Sequence, residues 1–367
     1  MKILITCPRT PVSIEWIRVF SRAGHEVLLV DSLSFPIAKY YANSTYIKIA
    51  SPRLDFEQYR VEMTKLIKEV DWVIPNCEDI FYLTKVRDTM ETDTFFFMPE
   101  SSLLFELHHK FDFFKHLNEH VKFPKTELLS DKAQISINKN SILKPVFSRF
   151  GRSVIREITE ESIADIEVSA SYPWVQQERI VGEAICNYGL ILKGELLAHV
   201  AYRPKYLLNG AAATYFEPCV DERLERFMKQ FAQESQYTGQ VAFDFIDDGK
   251  DLYVLECNPR ATSGLHVLSE GLHFEKGTFV YVKKSEHSAY RVGTTLYSLF
   301  GFRALLNGEF KTLHKDHKRA KDVLDGVSIY GQIMSMLGML VSALKYKKDV
   351  TSASTFDIEF DGERIEK

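Results

Sequence analysis

The sequence predicts an α/β protein in which a doubly wound parallel sheet is followed by an α+β region and a helical C-terminal extension. Two observations carry this prediction. Over residues 1–95, short apolar strands alternate with helical patterns, which indicates parallel strands joined by helices. From Trp174 onward, long strands are joined by tight turns such as Lys193-Gly194-Glu195, which are typical of antiparallel hairpins.

The first elements follow from the spacing of apolar residues. Ligands are expected at the carboxyl ends of the parallel strands. No GxGxxG follows the first strand, so a dinucleotide site there is not expected. The predicted elements are the strand Lys2–Thr6, the helix Val12–Ala23 ending at Gly24, the strand Glu26–Asp31, the helix Phe56–Val70 and the strand Trp72–Pro75.

A second section begins near Phe96. Four segments are expected: 1–95 as an N-terminal α/β domain, 96–172, 173–285, and 286–367 as a C-terminal extension. The elements predicted after Phe96 are the helix Leu103–His120, the strands Ser141–Val146, Ser153–Ile158, Val175–Ile180, Ala184–Leu192 and Leu196–Tyr202, the helix Asp221–Ser235, and the strands Gln240–Ile246 and Leu252–Glu256.

Composition restricts the class of function. The chain has 367 residues and a formal net charge of -4, without the basic excess of a nucleic-acid-binding surface. The five cysteines show no CxxC pair, so free thiols in a reducing compartment are expected. The N-terminal MKILITCPRT lacks the pattern of an export signal, so cytoplasmic residence is expected.

The segment VAFDFIDDGKDLYVLECNPR predicts a hairpin that carries chemistry. Alternation places Asp244 and Glu256 near each other across the two strands, and each lies within an apolar run. Two such carboxylates repel each other and lose hydration, and Mg²⁺ removes that cost. Asn258 adds a neutral oxygen ligand, and Arg260 can place a guanidinium on a developing anion.

The competing interpretation is a surface hairpin with scattered charges. It accounts for Asp247, Asp248 and Asp251, which lie in or beside the predicted turn. It does not account for Asp244 and Glu256, because apolar residues flank both. The metal-site interpretation is therefore preferred.

The run D-x11-E-x-N-P-R that closes this hairpin resembles the magnesium and catalytic signature of the ATP-grasp superfamily, in the variant found in carbamoyl-phosphate-synthetase-like enzymes and carboxylate–amine ligases. The resemblance extends over most of residues 1 to about 285. It implies a pre-ATP-grasp domain, then a linker helix and lid subdomain over 96–172, and a subdomain with the Mg-ATP site over 173–285. It also implies ATP and Mg²⁺ as cofactors, with Mn²⁺ as a substitute.

Other family positions are carried over through this resemblance. Lys110 and Lys144 match the two lysines that contact nucleotide phosphates. The resemblance implies that an adenine hinge is formed by Gln177, Glu178, Arg179 and Ile180, that Glu183 lies by the ribose or phosphates, and that Arg203 lies near the phosphates. Family members form an acyl-phosphate that an amine then attacks, so small carboxylate and amine substrates are expected. Arg260 is the expected catalytic residue.

The lid loop departs from the family pattern. Residues 147–153 contain one glycine, where the family usually has several. Arg149 and Arg152 could contact phosphates by side chain instead; otherwise the lid is stiff, or the substrate carries its own phosphate. An ATP-binding regulatory or scaffold protein with little turnover is therefore the alternative function.

The substrate side is expected to follow Arg260. Thr262, Ser263 and Gly264 could supply hydroxyls and amides beside the activated carboxyl, and His266 is either a base or a packed core residue. Glu78 fits either a ligand-binding edge or the first turn of a helix. The adjacent His108 and His109 are expected on an exposed helix face.

The C-terminal extension contains an apolar stretch, Val327–Leu344, followed by three lysines. A buried or dimer-interface helix is expected, which allows a homodimer. The alternative is peripheral membrane contact through residues 327–348. A strand-like FDIEF follows at residues 356–360.

Overall fold

The computed structural model describes residues 1–149, 151, 153–208, 212–283, 287–363 and 365. Within these residues the chain forms a five-stranded sheet, a three-stranded sheet, a seven-stranded sheet and a two-stranded hairpin. The predicted α/β and α+β fold classes are both present, in the predicted order along the chain.

The N-terminal sheet is parallel, with strand order β3-β2-β1-β4-β5. Parallel pairing aligns the carboxyl ends of β1, β2 and β4 at one edge. The expected strand–helix alternation is confirmed. The structure has one more short strand, Thr45–Lys48, directly after the second strand. Its elements are β1 (Lys2–Thr6), α1 (Val12–Arg22), β2 (Glu26–Asp31), β3 (Thr45–Lys48), α2 (Phe56–Ile67), β4 (Trp72–Ile74), α3 (Ile80–Arg87) and β5 (Phe95–Phe96).

The three-stranded sheet is antiparallel, in the order β6-β8-β7, and has a small core of its own. The buried side chains of that core are Leu129, Leu143, Ile158 and Trp174. The elements of this part are α4 (Ser101–His108), β6 (Thr126–Leu129), β7 (Ser141–Pro145), α5 (Glu160–Ile163) and β8 (Trp174–Glu178).

The seven-stranded sheet has the order β13-β12-β9-β10-β11-β16-β17. Its β9–β10 turn contains Lys193 and Gly194 at φ 48° and 82°, the left-handed pair that closes a two-residue hairpin. Its elements and those packed on it are β9 (Glu183–Leu192), β10 (Glu195–Leu208), β11 (Ala212–Cys219), α6 (Glu222–Ser235), β12 (Gly239–Asp247), β13 (Leu252–Asn258), α7 (Gly264–Leu268), β14 (Leu272–Glu275), β15 (Thr278–Tyr281) and β16 (Tyr290–Arg291).

One continuous apolar core joins the N-terminal sheet to the seven-stranded sheet. At its centre the buried Gln240 amide accepts hydrogen bonds from Trp16 Nε1 (3.2 Å) and the Tyr188 hydroxyl (2.6 Å). Its Nε2 donates to the Pro75 carbonyl at 2.7 Å. Because a buried amide without partners is costly, these three bonds fix how the two sheets meet.

Between residues 96 and 285, two predicted elements differ from the structure, and one strand that has a sequence signal is not predicted. The helix predicted over Leu103–His120 ends at His108, because the His109 ring Nδ1 accepts from the Asp112 amide (3.1 Å) and turns the chain. Ser153–Ile158 makes a single bridge, Leu143 to Ile155, instead of a strand. The strand β11 was missed, although Asn209-Gly210 in the sequence is a hairpin signal; both residues lie outside the described range.

The C-terminal extension holds the last elements of the fold. The apolar helix faces outward, so the prediction of a buried helix is wrong; a dimer interface and membrane contact stay predictions. Among the described residues, no helix combines the length and apolar character needed to cross a bilayer. The elements are α8 (Gly301–Leu306), α9 (Phe310–Arg319), β17 (Lys321–Asp322), α10 (Ile329–Tyr346) and α11 (Val350–Ala353).

The outward face of α10 carries large apolar side chains, while Gly331, Ser335 and Ser342 point inward. Small residues allow the helix backbone to lie close to the aromatic side chains of Tyr40 and Phe35. The exposed residues are Ile329, Tyr330, Ile333, Met336, Leu337, Leu340, Val341 and Leu344.

Candidate active site

The centre of the site is an acid pair on the β12–β13 hairpin. Asp244 and Glu256 are directly paired across the two strands, as alternation predicts. A bulge at this point leaves Leu255 as the extra residue of β13. Asn258 Nδ2 donates to Asp244 Oδ2 at 3.2 Å, so all three side chains proposed as metal ligands lie on one side of the hairpin.

The two carboxyl groups have opposite pKa shifts. Burial and the neighbouring Glu256 charge raise the pKa of Asp244 to about 7. Burial also opposes ionisation of Glu256, but attraction to Lys110 and Lys144 outweighs it and lowers its pKa to about 2. Asp244 therefore retains its charge only with difficulty, because burial and the neighbouring carboxylate both oppose it.

Two buried lysines lie beside the acid pair. Lys110 Nζ is 3.5 Å from Glu256 Oε2 and donates to the Ser148 carbonyl at 2.8 Å. Lys144 Nζ donates to Gln177 Oε1 (3.0 Å) and to the carbonyl of the bulged Leu255 (3.1 Å). Burial, aided by the Lys110 charge, lowers the pKa of Lys144 to about 8.

The donor set fits Mg²⁺ that arrives with a nucleotide. Mg²⁺ takes one or two protein carboxylates and completes its octahedron with phosphate oxygens and water. Asp244 and Glu256 supply two carboxylates, and no cluster of three or more His, Cys, Asp or Glu side chains suited to a metal occurs among the described residues. A bound Mg²⁺ would also relieve the repulsion that raises the pKa of Asp244.

Arg260 connects this pair to the N-terminal sheet. Its Nη2 lies 3.7 Å from Oε1 of the buried Glu78, which follows β4 at the ligand-binding edge. The other Glu78 oxygen lies 2.7 Å from Arg149 Nη2. Burial opposes the Glu78 charge, but the two arginines outweigh it and lower the pKa of Glu78 to about 2. Glu78 is thus an anion that orients two arginines, and not only a helix-capping acid.

The residues expected to form the adenine hinge lie at the end of β8. Gln177 is buried and holds Lys144, whereas Glu178 and Arg179 are exposed. The amides of Glu178 and Arg179 donate to the Lys125 and Asn140 carbonyls, both at 2.8 Å. Their adenine-binding role stays a prediction.

Glu183 and Arg203 lie on the neighbouring strands β9 and β10. Their side chains are 76% and 48% exposed, and Arg203 Nε is 3.4 Å from Glu183 Oε2. Both side chains are therefore open to solvent and available to a ligand, and their contacts with ribose or phosphate stay a prediction.

The lid loop differs from the expectation for its arginines. Arg149 does not project freely toward a phosphate site, because Glu78, Glu359 and Asp361 bind it. Attraction to these carboxylates outweighs burial and raises its pKa further. Arg152 lies outside the described residues.

His266 is a packed core residue, the second of its two expected roles. Its Nδ1 lies 2.8 Å from Glu15 Oε1, and both side chains are buried. Gly264, two residues earlier, has a packing role: a Cβ there would lie 2.2 Å from Tyr188 Cβ. The Tyr188 ring therefore lies directly against the backbone of α7.

His108 is buried, so its predicted exposure is wrong. Its ring lies 4.4 Å from that of Phe81 and 5.5 Å from that of Phe147, measured between centroids. Burial among these rings lowers the pKa of His108 to about 3, with Lys110 and the nearby arginines adding to the effect against the opposing charge of Glu78. Its apolar surroundings come from residues distant in sequence, which the helical pattern alone does not show.

We expect His108→Phe to remove part of the acid sensitivity of the fold. The unfolded chain binds a proton at His108 below about pH 6.5, whereas the folded chain does so only near pH 3. Folding stability is therefore lost as the pH falls below 6.5, and the variant escapes this loss. When the pH falls from about 7.5 to about 5, the parent should lose about 2 kcal/mol more of its free energy of unfolding than the variant does.

Urea unfolding at both pH values measures this difference. His120→Phe, at a partly exposed histidine, serves as the control for loss of a histidine. An equal pH response of the parent and the His108→Phe variant would contradict the burial of a neutral imidazole.

Comparison with known proteins assigns the fold family. Residues 107–264 match the sequence model of the ATP-grasp domain. No curated protein sequence matches the chain. Residues 107–264 are therefore similar to an ATP-grasp domain, and the architecture of the chain is the ATP-grasp fold, as the sequence resemblance predicts.

Solved structures with this fold align over about three quarters of the chain. At 13–16% sequence identity, the likeness establishes the fold alone. They include N5-carboxyaminoimidazole synthetase from Staphylococcus aureus with ADP (13% identity, TM-score 0.57, 74% of this chain and 74% of that chain), L-amino acid ligase from Bacillus licheniformis (16%, 0.55, 74% and 70%), and the biotin carboxylase domain dimer of 2-oxoglutarate carboxylase from Hydrogenobacter thermophilus with MgADP, ADP and bicarbonate (15%, 0.55, 73% and 66%).

Proposed function

We propose that this protein is an ATP-dependent ligase that activates a carboxylate as an acyl-phosphate and joins it to an amine, releasing ADP and phosphate. The observation that carries the proposal is the paired Asp244 and Glu256, with Lys110 and Lys144 beside them. Two acids and two lysines within one buried cluster suit a triphosphate with its metal, since each charge has an opposite charge to meet. The ADP, MgADP and bicarbonate bound in two of the solved structures with this fold agree with it.

In this proposal each residue has a separate task. Asp244, Glu256 and Asn258 hold Mg²⁺, and Lys110 and Lys144 bind phosphate oxygens. When bound, Mg²⁺ would neutralise charge on the phosphates and so favour their attack by an anion. Arg260 stabilises negative charge near the reacting carboxylate. Residues 1–95 hold part of the substrate, 96–172 include the lid, 173–285 bind Mg-ATP, and 286–367 form the extension.

The reaction balances in two steps. A carboxylate oxygen of the substrate attacks the γ-phosphorus, the bond to the β–γ bridging oxygen breaks, and ADP leaves with that electron pair. The amine then attacks the acyl carbon, phosphate leaves, and the amine loses a proton as the amide forms. Water would compete with the amine, so this second step needs a closed site.

Product analysis over a panel of carboxylic acids tests the proposal. We expect ADP to form only when a suitable acid is present, and hydroxylamine in place of the amine should trap the acyl-phosphate as a hydroxamate. Formation of AMP and pyrophosphate would contradict the proposed chemistry.

ATP binding without ADP formation across the panel would favour the regulatory or scaffold alternative. The specific observation behind that alternative is Arg149, a lid residue bound by three carboxylates in this structure.

A further inference from the structure

Residues Thr355–Glu363, here called the acidic tail, lie across the carboxyl ends of the N-terminal parallel strands. Ile358 packs in one buried cluster with Cys7 and Cys77, which follow β1 and β4. Phe360 stacks on Phe81, with ring centroids 5.0 Å apart. Because open parallel sheets bind ligands at this edge, the tail occupies the place where a substrate is expected. The predicted strand at FDIEF is wrong; these residues form no strand.

Three arginines, here called the arginine cleft, face the acidic tail: Arg9, Arg53 and Arg149. Among the described residues, Arg53 has ion pairs only with the tail, to Glu359 (2.6 Å), Asp361 (2.8 Å) and Glu363 (3.6 Å). One guanidinium therefore bonds two or more separate carboxylates at once. Without the tail, Arg53 would lose each of these counterions.

The other two arginines each combine one fixed acid with acids of the tail. Arg9 is bound by Asp31 at the end of β2 and by Asp357 of the tail at 2.6 Å. Arg9 and Asp357 have side chains 5% and 2% exposed, so this pair is almost fully removed from water. A partly paired guanidinium so deep in the protein requires a further anion, from the tail or from a ligand.

The arginine cleft adjoins the candidate active site through Arg149. Arg149 contacts Glu359 and Asp361 of the tail, and it shares Glu78 with Arg260. A single carboxylate thus separates the cleft from the residue proposed to stabilise the reacting group. An anion bound in the cleft would lie next to the place of phosphoryl transfer.

We propose that the arginine cleft binds a small molecule with at least two carboxylate groups, and that the acidic tail is an intramolecular ligand that this molecule must displace. The tail presents separated carboxylates to separated guanidiniums, and bidentate arginine–carboxylate pairing suits that arrangement. One carboxylate would be held by the cleft, and the other would face Arg260 for activation. That second role rests on the proposed function, whereas binding in the cleft does not.

The tail is attached in a way that allows release. It contributes no strand to a sheet, and its backbone is held by separate hydrogen bonds instead of a ladder. Phe360 N donates to Glu78 Oε2 (3.2 Å), the Tyr82 hydroxyl donates to the Glu359 carbonyl (2.9 Å), and the Asp357 carbonyl accepts from the Ser51 hydroxyl (2.6 Å) and the Arg53 amide (3.4 Å). Burial of Ile358 and Phe360 opposes release, because both side chains would return to water. A ligand that replaces the ion pairs therefore competes against two apolar anchors.

Binding of a fluorescent peptide with the sequence of residues 355–363 tests the site directly. The test protein is a tail-neutral variant, Asp357→Asn with Glu359→Gln and Asp361→Asn, which keeps both apolar anchors. Its matched control is Glu91→Gln with Glu195→Gln and Glu275→Gln, three exposed acids far from the tail in sequence. In a second test protein, a protease site is inserted at residues 347–349 and the chain is cleaved there after folding. This protein still tests the proposal if the tail-neutral variant fails to fold.

We expect the peptide to bind the tail-neutral or the cleaved protein at least 10-fold more tightly than it binds the parent and the matched control. The same peptide with Asn, Gln and Asn at positions 357, 359 and 361 should bind at least 10-fold more weakly. Glutarate or glutamate should displace the peptide at concentrations where acetate does not. Arg53→Gln, added to the tail-neutral variant, should weaken peptide binding.

Two outcomes would overturn the proposal. Failure of the peptide to bind either test protein would show that the tail is a permanent part of the fold. Displacement by inorganic phosphate but not by dicarboxylates would assign the cleft to a phosphorylated ligand. Both readouts are binding measurements, so they stand even if no acid supports ADP formation, and failure of the proposed ligase activity can be told apart from failure of the cleft.

Discussion

Asp244→Asn should lower the rate of ATP turnover by at least ~10²–10³-fold. The variant should nevertheless be as stable as the parent or more stable. Loss of the carboxylate removes one metal ligand. Stability is preserved because burial and Glu256 already disfavour the Asp244 charge, raising its pKa to about 7. Above that pH the folded protein carries a penalty that asparagine does not have, since the unfolded chain ionises Asp244 freely.

Glu256→Gln should lose turnover to the same extent but should also destabilise the protein. The low pKa of Glu256 shows that its charge is favoured in the fold, where it is attracted to Lys110 and Lys144. Its replacement leaves two buried lysines facing a single acid. The two variants are thus expected to agree in activity and to differ in thermal stability.

Rates of ADP formation and thermal melting, measured for both variants at about pH 8, provide the comparison. Asp251→Asn is the matched control: this acid lies beside the same hairpin turn and pairs with Lys122 (2.6 Å), so it should leave turnover unchanged. Normal turnover in Asp244→Asn and Glu256→Gln would remove the metal site from the proposal.

Gly264→Ala should destabilise the fold by about 3 kcal/mol, at the upper end for overpacking one methyl group into a core. The new Cβ would lie 2.2 Å from Cβ and 2.8 Å from Cγ of Tyr188. Tyr188 cannot move aside easily, because it is fully buried and its hydroxyl is bonded to Gln240 at 2.6 Å. Either the start of α7 or β9 must shift.

The shift in the urea midpoint measures this effect, provided that the slope of the transition is unchanged. Gly301→Ala is the control, because the nearest atom to its new Cβ, outside the adjoining helix backbone, is 4.0 Å away. Alanine within a helix should there be neutral or stabilising by up to about 1 kcal/mol. An equal loss of stability at both positions would show that the close approach to Tyr188 is not the cause.

Local sequence signals predicted the centre of the site. Alternation along two strands joined by an Asp-Gly turn suffices to place Asp244 opposite Glu256, because both strands lie within one hairpin. The parallel N-terminal sheet was also predictable from local signals, since the spacing of apolar residues distinguishes each strand from each helix within a short stretch of sequence. Lys110 and Lys144 required the family resemblance, because their distance from the hairpin in sequence hides their closeness in space.

The arginine cleft could not be predicted from local patterns. Arg53 and Glu359 are separated by about 300 residues, and no periodicity relates one to the other. For Arg149 the sequence allows phosphate contact as one of three interpretations of its loop, yet the acids that bind it belong to the tail and to the edge of another sheet. The alternating acids of the last segment are the one available signal, and their pattern predicts a strand instead.

The hydrogen bonds of Gln240 affect which parts of the molecule unfold together. Since the N-terminal sheet and the seven-stranded sheet share one core and this one amide, they should unfold as a single cooperative unit. The three-stranded sheet keeps a separate, smaller core. Sub-global opening would therefore begin in the three-stranded sheet, freeing Lys144 from the Leu255 carbonyl of β13 while the acid pair stays in place. In the proposed function, release of the nucleotide would then need no loosening of the rest of the protein.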